Sequence, residues 1–148
     1  MPAKDRDLTG TLLVAGQFAG IGALTFGGGW NLPWWAWLVF LMGFLVLVAA
    51  MFSIGMGNIT VMPEPVPGNT LSKRGIYRVV RHPMYLSVLL CGVAVTVGAP
   101  STVRWITMAG LLVVLLLKIR YEEGRLAARH PEYPSVMKGV ARLLPGVW

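Results

Sequence analysis

Residues 34–54 read WWAWLVFLMGFLVLVAAMFSI, with no charged side chain and no histidine. A continuous apolar run of this length is about the 20 residues a helix needs to cross roughly 30 Å of hydrocarbon. Its surroundings are equally bare, for no Asp, Glu, Lys, Arg or His occurs from Leu8 through Pro63. Over the 148 residues, 55% are hydrophobic and 13% charged, against about a quarter charged in soluble domains. The chain therefore reads as a single all-α integral membrane domain over residues 1–148, with the lipid bilayer as its first partner.

On the N-terminal side, Leu8 to Phe26 forms another span, ended by Gly27-Gly28-Gly29. Gly16 and Gly20, four apart, give a small-residue face on which helix backbones approach closely in lipid. Trp30, Trp34, Trp35 and Trp37 surround the turn with Asn31 and Pro33. An aromatic box for a sugar or cation is one reading; the headgroup-level belt that Trp favours is the preferred one. Met1 to Asp7 mixes both charge signs, so no secretory signal peptide is expected. Cys91 is the single cysteine and permits no intrachain disulfide.

On the C-terminal side, Gly55 and Gly57 close the second span. Asn58 to Ser72, with Pro63, Pro65 and Pro67, reads as an extended loop, since alternate prolines remove backbone donors. Pro83 suits the first turn of a helix, so a third span runs over about residues 83–99 and a fourth over about 103–118. Both are short, which suits burial within protein. From residue 119 to 148 the chain leaves the membrane. His130-Pro131 breaks the helix, and the basic, amphipathic stretch Ser135 to Leu144 is expected to lie along the interface as a short helix.

The net charge of +7 suits a membrane protein better than a nucleic-acid binder. Lys4 and Arg6, then Lys73, Arg74, Arg78 and Arg81, then Lys118, Arg120, Arg125, Arg129, Lys138 and Arg142 all fall on one side of a four-span chain; Arg104 alone falls on the other. The excess of Lys and Arg in cytoplasmic loops then places both termini in the cytoplasm, with the inner membrane as location in a prokaryote.

Chemistry concentrates in Gly75 to Tyr85, the most polar stretch between the hydrophobic halves. His82 and Tyr85 share a face at a helix start, where free N–H groups suit an anion. Lys118 and Glu122 are four apart, and Arg120 and Glu123 three apart, so each pair can align. The Glu122-Glu123 pair is either an ion-pair clasp or a pocket for a positive ligand; His82 beside Pro83 is either a cap or a site residue. Two histidines and one buried-run cysteine give no close metal-ligand cluster. No Gly-x-Gly-x-x-Gly follows a strand, so no Rossmann domain is expected.

Leu71 to Leu86, with its Gly75-x-Tyr77 lead and Arg81-His82-Pro83-x-Tyr85, resembles the core motif of the isoprenylcysteine carboxyl methyltransferase and phospholipid methyltransferase group. Glu122-Glu123-x-x-Leu126, Pro131-x-Tyr133 and Arg142-Leu143-Leu144-Pro145 resemble that group's second block. The resemblance implies a small helical membrane enzyme that takes S-adenosylmethionine at its cytoplasmic edge and methylates a lipid-like or small hydrophobic acceptor. By similarity Asn69, Thr70, Leu71, Ser72, Tyr77, His82, Pro83, Met84, Tyr85 and Glu122 line the cofactor pocket. Lys118, Arg120 and Glu123 fall on the acceptor side, and Glu123, Tyr85 and Arg120 are positional candidates for a base. Relatives that methylate a carboxylate carry an Arg where this chain has Lys118, a point charge rather than a fork. The acceptor class therefore stays open among an isoprenoid or fatty carboxylate, a phospholipid amine and a thiol, as does the oligomeric state. Because sterol reductases carry a variant of Arg-His-Pro-x-Tyr, a membrane reductase using NADPH is the alternative, with a non-catalytic membrane subunit as a third reading.

Overall fold

A computed structural model describes residues 7–54, 71 and 73–147. Among these residues the protein is all helical, with α1 (Leu8–Phe26), α2 (Trp34–Ile54), a 3-10 turn (Gly75–Arg78), α3 (Pro83–Gly98), α4 (Thr102–Arg129) and the single turn α5 (Tyr133–Val136). Gly55, Gly57 and the proline loop lie outside the described residues. Helices α1, α2 and α4 are long and apolar enough to cross a membrane, whereas α3 is apolar but shorter.

Local signals explain the boundaries. Asp7 opens α1 by accepting the Gly10 N–H at 2.9 Å, and Ser101 opens α4 by accepting the Arg104 N–H at 3.2 Å. Both satisfy amides that a helix N-terminus leaves orphaned. Pro83 sits at the start of α3.

The buried residues of two helices fall seven apart, Gly10, Gln17 and Leu24 on α1 and Ala36, Gly43 and Ala50 on α2; on α4 Arg104, Leu111 and Lys118 keep the same step, with Leu115 and Ile119 widening the stripe. That period keeps one stripe of a helix against its neighbours, so the remaining apolar surface of α1 and α2 is left for lipid. Gly20 serves this packing. A Cβ there would sit 3.1 Å from Leu111 Cδ1, and one at Gly16 would sit 3.3 Å from Val114 Cγ2. The small-residue face of α1 thus packs on α4 of the same chain.

Helix α3 occupies the centre. Nine of its residues are buried, including Tyr85, Leu86, Leu89 and Val95, and it shares the main core with Leu24, Leu111, Leu115, Ile119 and Leu143. Its sixteen residues extend about 24 Å, short of the bilayer core, which protein burial offsets. Helix α4 has 28 residues and extends about 42 Å, so it outruns the hydrocarbon and brings Glu122 and Glu123 level with α3's start.

The C-terminal stretch differs from the expected interfacial helix. After the single turn α5 the backbone straightens, and Ala141 pairs in parallel with Val80. The Arg81 N–H donates to Ala141 O at 2.8 Å, the His82 N–H to Arg142 O at 3.1 Å, and the Ala141 N–H to Val79 O at 3.2 Å. Within this strap the side chains of Met137, Val140 and Leu143 are buried. Gly139, at φ +79°, adopts the left-handed backbone that ends helical winding here.

Candidate active site

The site forms where the start of α3 meets the outer third of α4. Pro83 starts the helix immediately after His82, and the strap pins the backbone of both Arg81 and His82. The His82 and Tyr85 side chains then leave the same face, their rings stacked at 5.5 Å and 3° apart in plane. The consecutive Glu122 and Glu123 both reach this pair from α4.

The two carboxylates are held differently. Glu122 accepts a hydrogen bond from the Tyr85 hydroxyl and lies 3.4 Å from His82 Nδ1. Glu123 is clasped by Arg81 at 3.1 Å and Arg142 at 2.9 Å, with His82 Nε2 at 3.5 Å and the Tyr133 hydroxyl at 3.4 Å. That His82 Nε2 is within ion-pair distance yet is buried without a hydrogen-bond partner.

Electrostatics follow the geometry. Burial alone would push His82 down, but its contacts to Glu122 and Glu123 outweigh burial and raise its pKa. Burial would likewise raise Glu123; His82, Arg142 and Arg81 prevail and bring it to about 2. Tyr77, buried below the site, is pushed up to about 12 by burial and the Glu122 charge. The arrangement is an ion cluster around Glu123 and, one residue back, a second carboxylate that meets His82, Tyr85 and the charge of Lys118.

Of the residues singled out in the sequence, Tyr77, His82, Tyr85, Glu122 and Glu123 converge. Pro83 is fully buried beneath them, Met84 is half-buried, and Leu71 packs on the Tyr133–Met137–Val140 cluster. Asn69, Thr70 and Ser72 lie outside the described residues. Lys118 is buried one turn inward, its ammonium 5.0 Å from the Tyr85 ring centre. Arg120 is exposed; helical spacing offered it to Glu123, but Arg81 and Arg142 from other elements make the ion pairs.

One participant was missed. Gln17, from α1, accepts a hydrogen bond from Lys118 Nζ at 2.7 Å and is buried. The available signal was its chemistry: an amide in the middle of an apolar span is rare and needs a partner.

The fold and this edge site define a small helical membrane protein that gathers a carboxylate, a histidine and tyrosines where a span leaves the bilayer. The sequence model of the isoprenylcysteine carboxyl methyltransferase (ICMT) family matches residues 35–128, and the chain belongs to that family of membrane methyltransferases. The match spans α2 through nearly all of α4 and so contains His82, Tyr85, Glu122 and Glu123. No curated protein matches the chain.

Proposed function

We propose that the protein is an S-adenosylmethionine-dependent methyltransferase that acts on a lipid-like or small hydrophobic acceptor at the membrane edge. One observation carries the reading: Glu122 converges with His82 and Tyr85 at a largely buried site. The residues present fit the cofactor. Glu122 offers a carboxylate to a cation, Tyr77 and Tyr85 offer ring faces worth roughly 0.5–2 kcal/mol to a cationic group, and His82, with its buried unbonded Nε2, offers a donor to a carboxylate. When bound, the cofactor supplies an electrophilic methyl group.

The chain's own task is then positional, because bringing two reactants into line accounts for much of such a reaction's acceleration. Glu122 and the tyrosines hold the cationic side, His82 holds the anionic side, and Glu123 with its arginines fixes α4 against α3. Lys118, backed by Gln17 and the Tyr85 ring, places a polar head one turn deeper, where an acceptor from the lipid phase would present its own polar group. Both termini and the site face the cytoplasm in this reading.

Calorimetry on detergent-purified protein tests it with S-adenosylhomocysteine as the probe. Wild type should bind, and His82→Ala should weaken binding at least tenfold while remaining folded. Absence of binding at millimolar probe sinks the proposal, and binding of a nicotinamide dinucleotide in its place would identify a reductase.

A further inference from the structure

Arg104 belongs to the opposite end of the bundle, in the first turn of α4, where the α1–α2 and α3–α4 connections meet. It is only 2% exposed. Its guanidinium donates to Ala99 O at 2.8 Å and to Gly29 O at 2.9 Å, both neutral carbonyls. Its Nε is buried with no hydrogen-bond partner. The described acids, Asp7, Glu122, Glu123 and Glu132, all lie toward the other end, on the start of α1 and the outer part of α4 and beyond. A buried cation without a counter-charge is costly, and a buried donor left unbonded adds to that cost.

Beside this guanidinium lies a recess of about 350 Å³, lined by Gly27–Gly29, Asn31, the Ala99–Ser101 turn and Arg104 itself. Its walls suit an oxyanion. The glycines keep side chains out of the approach, and a Cβ at Gly28 would already stand 3.2 Å from an Arg104 nitrogen. The α4 N-terminus adds its positive dipole end. Exposed Trp30, Trp34, Trp35 and Trp37 ring the same end of the molecule, which sets the recess at the headgroup level.

We propose that this recess binds the phosphate of a phospholipid headgroup, with Arg104 as its counter-charge and Asn31 and Ser101 as polar groups at the rim. The site is separate from the His82–Glu122 cluster and rests on no assumption about methyl transfer. A phosphate oxygen there supplies the missing acceptor to Nε and neutralises the cation, while the acyl chains follow the apolar outer faces of α1 and α2.

The test uses delipidated full-length protein in detergent, read by native mass spectrometry and thermal melting. Its probes are phosphatidylglycerol, a diacylglycerol with the same chains but no phosphate, and inorganic phosphate. Wild type should retain phosphatidylglycerol and melt several degrees higher with it, and diacylglycerol should do neither. Gly29→Asp sets a carboxylate in the recess at a position where nothing lies within 4 Å of a new Cβ. It should weaken the phosphatidylglycerol response at least tenfold in folded protein, without the loss of loop bonds that Arg104→Gln entails. An equal response in wild type and Gly29→Asp, or no preference for phosphatidylglycerol over diacylglycerol, overturns the site. A melting shift matched by inorganic phosphate alone, with no further gain from the lipid, overturns the headgroup assignment in favour of a free anion.

Discussion

Glu122 and Glu123 are neighbours in sequence, yet the fold gives them opposite environments. Glu123 meets two guanidinium groups and His82, so its carboxylate is spent on holding α4, α3 and the strap together; Glu122 meets a phenol, an imidazole and the charge of Lys118, and in the proposed function it takes the cationic part of the cofactor. Neutralising each should therefore separate binding from stability. Glu122→Gln is expected to weaken S-adenosylhomocysteine at least tenfold by calorimetry with little change in melting temperature. Glu123→Gln is expected to cost about 1–3 kcal/mol of stability, less than the value for a fully buried pair because the cluster is partly wet. A reversal of the two effects would exchange the roles. The same cluster sets the pH dependence of folding. Glu123 is lowered from 4.5 to about 2, so its contribution is present above pH 4.5 and is lost as pH falls toward 2. His82 is raised above 6.5, so its contribution is complete below pH 6.5 and is lost as pH rises through the folded value. Around His82 stand Glu122, Glu123 and Tyr85, with Arg81 and Arg142 across Glu123. Thermal melting in detergent should show highest stability between about pH 4.5 and 6.5, and Glu123→Gln should flatten the acid limb.

At the scale of elements, the strap is the part that closes the site, and Arg81 is its fastening. The guanidinium donates to Val140 O at 2.9 Å and to Met137 O at 2.8 Å in addition to its Glu123 pair. Hydrogen bonds from a charged group are worth roughly 1.5–3 kcal/mol each, so Arg81→Met should release residues 133–147. Limited proteolysis is expected to cut there early, leaving the α1–α4 fragment intact; unchanged protection would show that Met137, Val140 and Leu143 hold the strap by burial alone. This element was also the least legible in the sequence. Helices α1 and α2 have the bounds that uninterrupted apolar runs dictate, and Pro83 marks the start of α3, because those signals are local. The strap's pairing with Val80 depends on backbone groups sixty residues apart, which no periodicity encodes, and Pro134 and Gly139 only hint that a helix stops. Within the site, His82 with Tyr85 and Lys118 with Glu122 were legible as pairs at helical spacing, whereas Tyr77 was legible only through the resemblance of its motif. The partners of Glu123 were not, since Arg81 and Arg142 arrive from other elements and displace the Arg120 that spacing alone suggests.

For the whole molecule, the placement of polar groups divides the bundle into unlike ends. One end holds Lys73, Arg74, Arg78, Arg81, Arg129, Lys138 and Arg142 around the carboxylate cluster, whereas the other holds Arg104 with Trp30, Trp34, Trp35, Trp37 and Trp105. Gln17 and Lys118 join α1 to α4 nearer the first end, so even the buried polar groups follow this division. A membrane sorts such a chain by its Lys and Arg residues, which are retained in the cytoplasm. With α1, α2, α3 and α4 alternating in direction, the orientation that satisfies the rule puts the strap inside and the tryptophan end outside. Under the proposed function this orientation matters, because a water-soluble cofactor would have to reach Glu122 from the face on which α4 emerges. Single cysteines in a Cys91→Ala background measure this. Lys138→Cys, exposed on the strap, should react with a membrane-impermeant maleimide only after cells are opened, and Asn31→Cys, exposed in the α1–α2 connection, should react in intact cells. The opposite labelling would turn the Glu122 site away from the cytoplasm and leave twelve of the thirteen cations on the wrong side of the bilayer.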